Sequence, residues 1–165
     1  MTQVRRPTTD EACATARELI RSVTYGALAV IDPKDGHPLC SRVALGTAPN
    51  GTLIALVSEL ALHTQALRAH PACSLLVAQP TAKGDPLTHV RMTVQAHARF
   101  VAHDSATYED MAAHYLRDHP KSKLYIGFQD FSFLVFEVQR AHLNAGFGKA
   151  FTLTTNDLCP DPPGA

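Results

Sequence analysis

The amino-acid sequence predicts a mainly β protein with flanking helices, in which six antiparallel strands close into a barrel. Three observations predict it. Apolar runs of strand length follow one another closely, hairpin-type turn residues separate the early runs, and residues 89–100 alternate apolar and polar side chains without a fault. A period of two sets Val90, Met92, Val94, Ala96, Ala98 and Phe100 on one face of that segment and His89, Arg91, Thr93, Gln95, His97 and Arg99 on the other. The sequence lacks both the strand–helix–strand alternation of a parallel sheet and the G-x-G-x-x-G fingerprint of dinucleotide binding.

Each element follows from its local pattern. Residues 8–23, TTDEACATARELIRSV, read as a helix capped by Thr9 or Asp10, with Ala12, Ala16, Leu19, Ile20 and Val23 near helical period. TYGALAVID (24–32) is the first strand, and PKDGHP (33–38) is a turn in which Asp35-Gly36 favours positive φ. LCSRVALGT (39–47) is the second strand, APNG (48–51) a second hairpin turn, and TLIALVS (52–58) the third strand. A short helix at 62–69 precedes a buried strand, ACSLLVAQ (72–79), and the loop PTAKGDP (80–86) leads into the alternating strand. ATYEDMAAHYLRDHP (106–120) is a helix that ends before Pro120. Residues 131–153 form a long strand or a strand pair, broken at Gly146 and Gly148. The expected organisation is one barrel domain over 1–153 and a loose Pro-rich tail over 154–165.

The composition narrows the function classes. A chain of 165 residues, 45% hydrophobic and 18% charged, is globular and of single-domain size, and such a chain buries about 70% of its unfolded surface without staples. A formal net charge of zero gives no support to nucleic acid or an anionic membrane as partner. No apolar run approaches the ~20 residues that span a bilayer. MTQVRRPTTDEACATA at the start has two arginines with no apolar core after them, unlike a secretory signal, so the expected location is cytoplasmic. The four cysteines, Cys13, Cys40, Cys73 and Cys159, form no C-x-x-C pair and read as reduced thiols. The nine histidines form neither H-E-x-x-H nor H-x-H, so no metal site is expected.

The stretch VSELALHTQALRAHPACSLLV (57–77) carries the site hypothesis. A strand ends at Ser58, and a helix too short to be stable alone begins near His63 and Thr64. Free backbone N–H groups at a helix start attract anions, and a guanidinium offers phosphate a bidentate fork. Arg42, inside the second strand with Cys40 and Ala44 on its own face, can reach the end of the third. Arg42, Ser58, His63 and Thr64 therefore form a candidate phosphate cradle. The plainer reading stays open: Arg42 meets a carboxylate or solvent, Ser58 ends a strand, and Thr64 caps a helix. The donor-rich face of residues 89–99 meets either solvent or a ligand or partner subunit. Gly146-Phe147-Gly148-Lys149 is too short to be a P-loop.

SRVAL (41–45), VSELALHTQALRAHPACSLLV (57–77), GDPLTHVRMTVQAHARF (84–100) and AGFGKAFTL (145–153) stand in an order that resembles the FMN-binding split-barrel superfamily of pyridoxamine 5'-phosphate oxidase. The resemblance is strongest to its haem-utilisation (HugZ-like) branch. It implies a six-stranded split barrel of the FMN-binding type, a homodimer with flavin at the subunit interface, and a small-molecule substrate. It implies that Arg42, Val43, Val57, Ser58, His63 and Thr64 contact FMN and that Arg91 lies near the flavin ring. The chain departs from the oxidase at Thr47, where the oxidase has lysine, and at His63-Thr64, where it has Arg-Lys. It departs again at Arg91, which replaces a glutamine, and in lacking the C-terminal substrate motif. The first functional reading is thus an FMN-dependent oxidoreductase of unknown substrate, with no side chain assigned as general base. The alternatives are a haem-binding or haem-utilisation protein, with His89, His97 or His142 as iron ligand, and a cofactor-free binding module.

Overall fold

The computed structural model describes residues 7–79 and 83–158. Helix α1 (Asp10–Ser22) is capped by Thr9, whose Oγ1 accepts from the Ala12 N–H, and it buries Ala12, Ala16, Leu19 and Ile20. The chain continues through β1 (Tyr25–Ile31), β2 (Pro38–Thr47), β3 (Leu53–Ser58), α2 (Leu62–Ala69) and β4 (Ala72–Ala78). It then forms β5 (Arg91–Val101), α3 (Ala106–Asp118), β6 (Phe131–Asn144), β7 (Ala150–Leu153) and α4 (Thr155–Leu158). The β1–β2 turn has Gly36 at φ 76° with the Asp35 carboxylate accepting from the His37 N–H, and the β2–β3 turn has Gly51 at φ 82° with Asn50 accepting from Thr52.

All ladders are antiparallel, in the order β3-β2-β1-β4-β5-β6-β7, and an additional β3–β6 pairing joins the first six into a closed barrel. Residues 131–153 are thus a strand pair. β7 hangs on the outer edge of β6 as a seventh strand, from Ala141↔Leu153 to Asn144↔Ala150. β5 alternates as the sequence predicts, with Met92, Val94, Ala96 and Ala98 buried. β3 does not alternate: Leu53 to Val57 are all buried. The reason is a second apolar layer. The barrel interior holds Leu28, Leu45, Val94 and Phe136, while Ile54, Tyr108, Met111, Tyr115 and Phe133 pack together under α3 on the outside of β3 and β6.

The ordered chain runs past the predicted tail boundary. Thr155 Oγ1 donates to the Val138 carbonyl at 2.7 Å, Arg17 Nε donates to the Asp157 carbonyl at 2.8 Å, and Leu158 is buried in the barrel core. The Asp157 carboxylate accepts from the Thr154 N–H, which holds it below the usual carboxylate range. A buried leucine five residues past the last strand, at the end of a helix docked on α1, packs residues 155–158 against the barrel. Cys159 and the rest of the Pro-rich tail lie outside the described residues. Cys13, Cys40 and Cys73 are free thiols, and burial pushes Cys73 up to about 11. No helix among the described residues is long and apolar enough to cross a membrane.

Gly26 shows how tightly β1 is held between β2 and β4. A Cβ there would stand 2.8 Å from Leu45 Cδ1 and 2.9 Å from the Leu76 carbonyl oxygen. Backbone cannot yield as a side-chain tip can, so Gly26→Ala should cost about 1–3 kcal/mol of stability. Urea denaturation checks this as a lowered midpoint, and an unchanged midpoint would mean that β1 and β4 have slack between them.

Candidate functional site

The first part of the site is a gap between β2 and β3. These strands pair only from Leu45↔Ala55 to Thr47↔Leu53, while on its other edge β3 pairs with β6 as far as Ser58. Carried on past the last pair, the register sets Val43 level with Val57 and Arg42 level with Ser58 across the gap. Val43 and Val57 are buried in the barrel core, so only their backbones are left for a ligand. Ser58, His63 and Thr64 gather where β3 ends and α2 begins. Thr64 is completely buried, and its Oγ1 has no hydrogen-bond partner among the described residues. Desolvation lowers the His63 imidazole below its ordinary value, which favours the neutral ring at pH 7. The Arg42 guanidinium lies 5.3 Å from the centre of the Tyr25 ring.

The end of β3 also meets, from its β6 side, a carboxylate that the sequence reading missed. Ser58 Oγ donates to Asp130 Oδ2 at 3.0 Å and accepts from the Leu60 N–H at 3.2 Å, and the Glu59 N–H donates to the Asp130 carbonyl at 2.7 Å. Asp130 directly precedes β6, and only the β3–β6 pairing brings it to Ser58. Glu59 also pairs with Arg68, whose guanidinium lies 3.5 Å from the centre of the Phe100 ring. The Glu59–Arg68 pair thus leaves the Asp130 carboxylate and the Arg42 guanidinium as the charges of the cradle. Arg91 stands apart, with β1 and β4 between its strand and β2. Its Nη1 donates to the Leu87 and His89 carbonyls at 2.7 and 3.2 Å.

The second part is the outer face of the sheet. Registered pairs run Arg42–Ala27–Leu76–Thr93–His142–Thr152 in one row and Cys40–Ala29–Ser74–Gln95–Arg140 in the next. The centre of this face is apolar and bare: Tyr25, Ile31 and Leu76 are 47%, 43% and 48% exposed. Its β5–β6 border is polar, and a bulge shapes it. Gln95 pairs with Arg140 and Ala96 with Val138, which leaves Gln139 without a β5 partner. Arg140 Nε donates to Gln95 Oε1 at 2.6 Å. Beside the bulge, Ile31, Ser74, Gln95, His97, Gln139 and Arg140 line a cavity of about 360 Å³. His97 is exposed there, while His142 Nδ1 stands 3.5 Å from Thr152 Oγ1 and His89 Nε2 stands 3.2 Å from the Lys83 carbonyl. No cluster of three or more metal-ligating side chains occurs among the described residues.

Residues 7–158 match the family described as CREG, beta-barrel. The chain belongs to the CREG β-barrel family. Among this chain's relatives, the non-canonical heme oxygenase HOZ of Arabidopsis thaliana chloroplasts is 31% identical over 136 residues, 82% of this chain and 40% of that protein. A heme-binding protein from Mycobacterium smegmatis has a structure that superposes with a TM-score of 0.82 at 29% identity, covering 95% of this chain and 62% of that one. A protein of unknown function from Agrobacterium tumefaciens, Atu2129, superposes with a TM-score of 0.81 at 28% identity, covering 98% of this chain and 66% of that one. This CREG-family chain thus spans less than half the length of the Arabidopsis protein and just under two thirds of the other two.

Asp130 makes a test of the cradle. A carboxylate hydrogen-bonded to Ser58 repels an incoming phosphate, and Asp130→Asn keeps an acceptor for the hydroxyl while removing the charge. Removing a like charge at a partly exposed site is worth about 0.5–1 kcal/mol, so FMN should bind roughly two- to fivefold tighter to Asp130→Asn by fluorescence quenching. Equal affinities would mean that no phosphate approaches Ser58.

Proposed function

We propose that this chain is a haem-binding protein of the haem-utilisation type that works as a homodimer, with the tetrapyrrole on the outer face of β1, β4, β5 and β6. The observation that carries the reading is the bare apolar centre of that face, bordered by His97 and Arg140 on one side and Arg42 on the other. A porphyrin is flat and apolar, carries two carboxylates, and holds an iron that takes imidazole as a protein ligand. The residues fit such a group. Tyr25, Ala27, Ala29, Ile31 and Leu76 would cover its apolar surface, Arg140 and Arg42 would meet its carboxylates, and His97 would offer the imidazole. When bound, haem supplies redox-active iron. The haem chemistry in the names of the Arabidopsis and mycobacterial relatives supports the same reading.

The homodimer has a physical motive. An apolar sheet face left to water is a standing cost, and a second copy of the same face satisfies it by symmetry. The second reading, an FMN-dependent oxidoreductase with flavin at the subunit interface, draws support from the buried Thr64 hydroxyl and the level of Arg42 with Ser58. The Asp130 carboxylate on Ser58 and the neutral His63 weigh against it. FMN therefore fits the cradle in part, and no catalytic step is drawn through it.

Hemin and FMN titrations decide between the readings. Hemin should develop a Soret band saturating at one per chain, while FMN should bind more weakly than hemin. His97→Ala should shift the Soret band and weaken hemin binding about tenfold or more, the effect of losing an iron ligand or its close partner. Leu76→Arg should give a monomer by light scattering and lose hemin affinity with it, because a buried unpaired charge is costly. Tight FMN binding with no saturable Soret change would overturn the haem reading in favour of the flavin one.

A further inference from the structure

The sheet has a second opening, along β6 between β3 and β7. β6 pairs with β3 as far as Val135↔Ile54 and with β7 only from Ala141↔Leu153. On that side, residues 136–140 have no strand partner among the described residues. The gap arises because the β2–β3 turn holds β3 back to Leu53, while β7 stops at Leu153. Helix α4 roofs one end of it, with Thr155 Oγ1 taking the Val138 carbonyl at 2.7 Å. Behind the gap lies a cavity of about 480 Å³, walled by Leu53, Val94, Met111, Val135, Phe136 and Leu158. Val94 and Phe136 belong to the barrel interior and Met111 and Val135 to the layer under α3, so the cavity lies where the two apolar layers meet.

The walls are apolar and the mouth is charged. Arg99, Glu137 and Asp110 stand at the mouth. Arg99 Nε and Glu137 Oε1 are 2.7 Å apart and neutralise each other. Asp110, on the second turn of α3, forms no ion pair among the described residues. One carboxylate is therefore left uncompensated at the entrance of an apolar chamber whose size matches the ~300–1,000 Å³ of small-molecule sites. Backbone polar groups along the unpaired stretch of β6 offer hydrogen bonds to a ligand edge.

We infer that this cavity is a second binding site, for a compact apolar molecule bearing one protonated amine. The apolar body fills the chamber between β3, β6 and α3, and the ammonium stays at the mouth beside Asp110, where it keeps part of its hydration. A carboxylate head is disfavoured there because Arg99 is already paired. The inference does not depend on haem binding, since none of the residues that line this cavity is among those proposed to hold the tetrapyrrole.

A matched pair of probes tests it: 2-(1-naphthyl)ethylamine and 1-naphthylacetate, which share an apolar body and differ in the sign of the head. The amine should bind saturably and about three- to tenfold tighter than the acid, as one partly exposed charge pair allows. Amide shifts in NMR spectra should concentrate at residues 135–138, 110–111 and 155–158. Asp110→Asn should erase the preference for the amine while leaving binding of the naphthyl body, and Thr107→Trp, at the exposed rim, should block both probes. Saturating hemin should leave amine binding unchanged. Equal affinities, absence of saturation, shifts centred on β1 and β4 instead, or displacement of the amine by hemin would each overturn the inference.

Discussion

The β3–β6 ladder, from Ile54↔Val135 to Ser58↔Phe131, is the pairing on which the rest of this structure depends. It closes the sheet, so that β3 and β6 have no open edge there. It runs on to Ser58, past the point where the β2–β3 ladder stops at Leu45↔Ala55, so β3 is held by β6 alone beside Arg42 and Val43. Because both strands then carry apolar side chains on their outer side as well, α3 must cover them. Tyr108, Met111 and Tyr115 do so, each buried apolar side chain contributing about 1.5–3 kcal/mol. Burial pushes the Tyr108 phenol up to about 12, so it stays neutral and donates to the Ile126 carbonyl at 2.8 Å.

The same ladder sets the electrostatics of the α2 start. Asp130 leaves β6 at the point where Ser58 ends β3, and the serine hydroxyl turns to it. A helix start beside a neutral imidazole and a satisfied hydroxyl attracts anions less than its position alone suggests. Positive charge is instead distributed over the outer face, at Arg42 and Arg140, with an apolar field between them. That arrangement suits a large flat ligand with carboxylates at its rim better than a compact phosphate.

Much of the fold was legible from residue patterns. The strands, their hairpin turns and the three longer helices follow from periodicity, from Asp35-Gly36 and APNG at the turns, and from capping by Thr9, while the Ser105 cap of α3, whose hydroxyl accepts from the Tyr108 N–H, emerged only in the structure. The short α4 was not legible. Its stability comes from one buried leucine and from contacts to Arg17 and Val138, more than a hundred and just under twenty residues away in the chain. Nor was the full burial of β3 assignable to one face, since LIALV reads the same whether one layer or two covers it.

By itself, the sequence determined the periodic content: which segments alternate, which face of β5 is polar, where turns need positive φ, and that the chain resembles a split barrel. These properties are local, set by neighbours within a few residues. The tertiary structure alone decided which distant groups meet. It put Asp130 on Ser58, parted Arg91 from Arg42 by two strands, placed His97 beside Arg140 across a one-residue bulge, and left residues 136–140 paired to β5 but, among the described residues, to no strand on their other edge. Such encounters depend on strand order and register, which come from the packing of the whole apolar interior rather than from any single stretch.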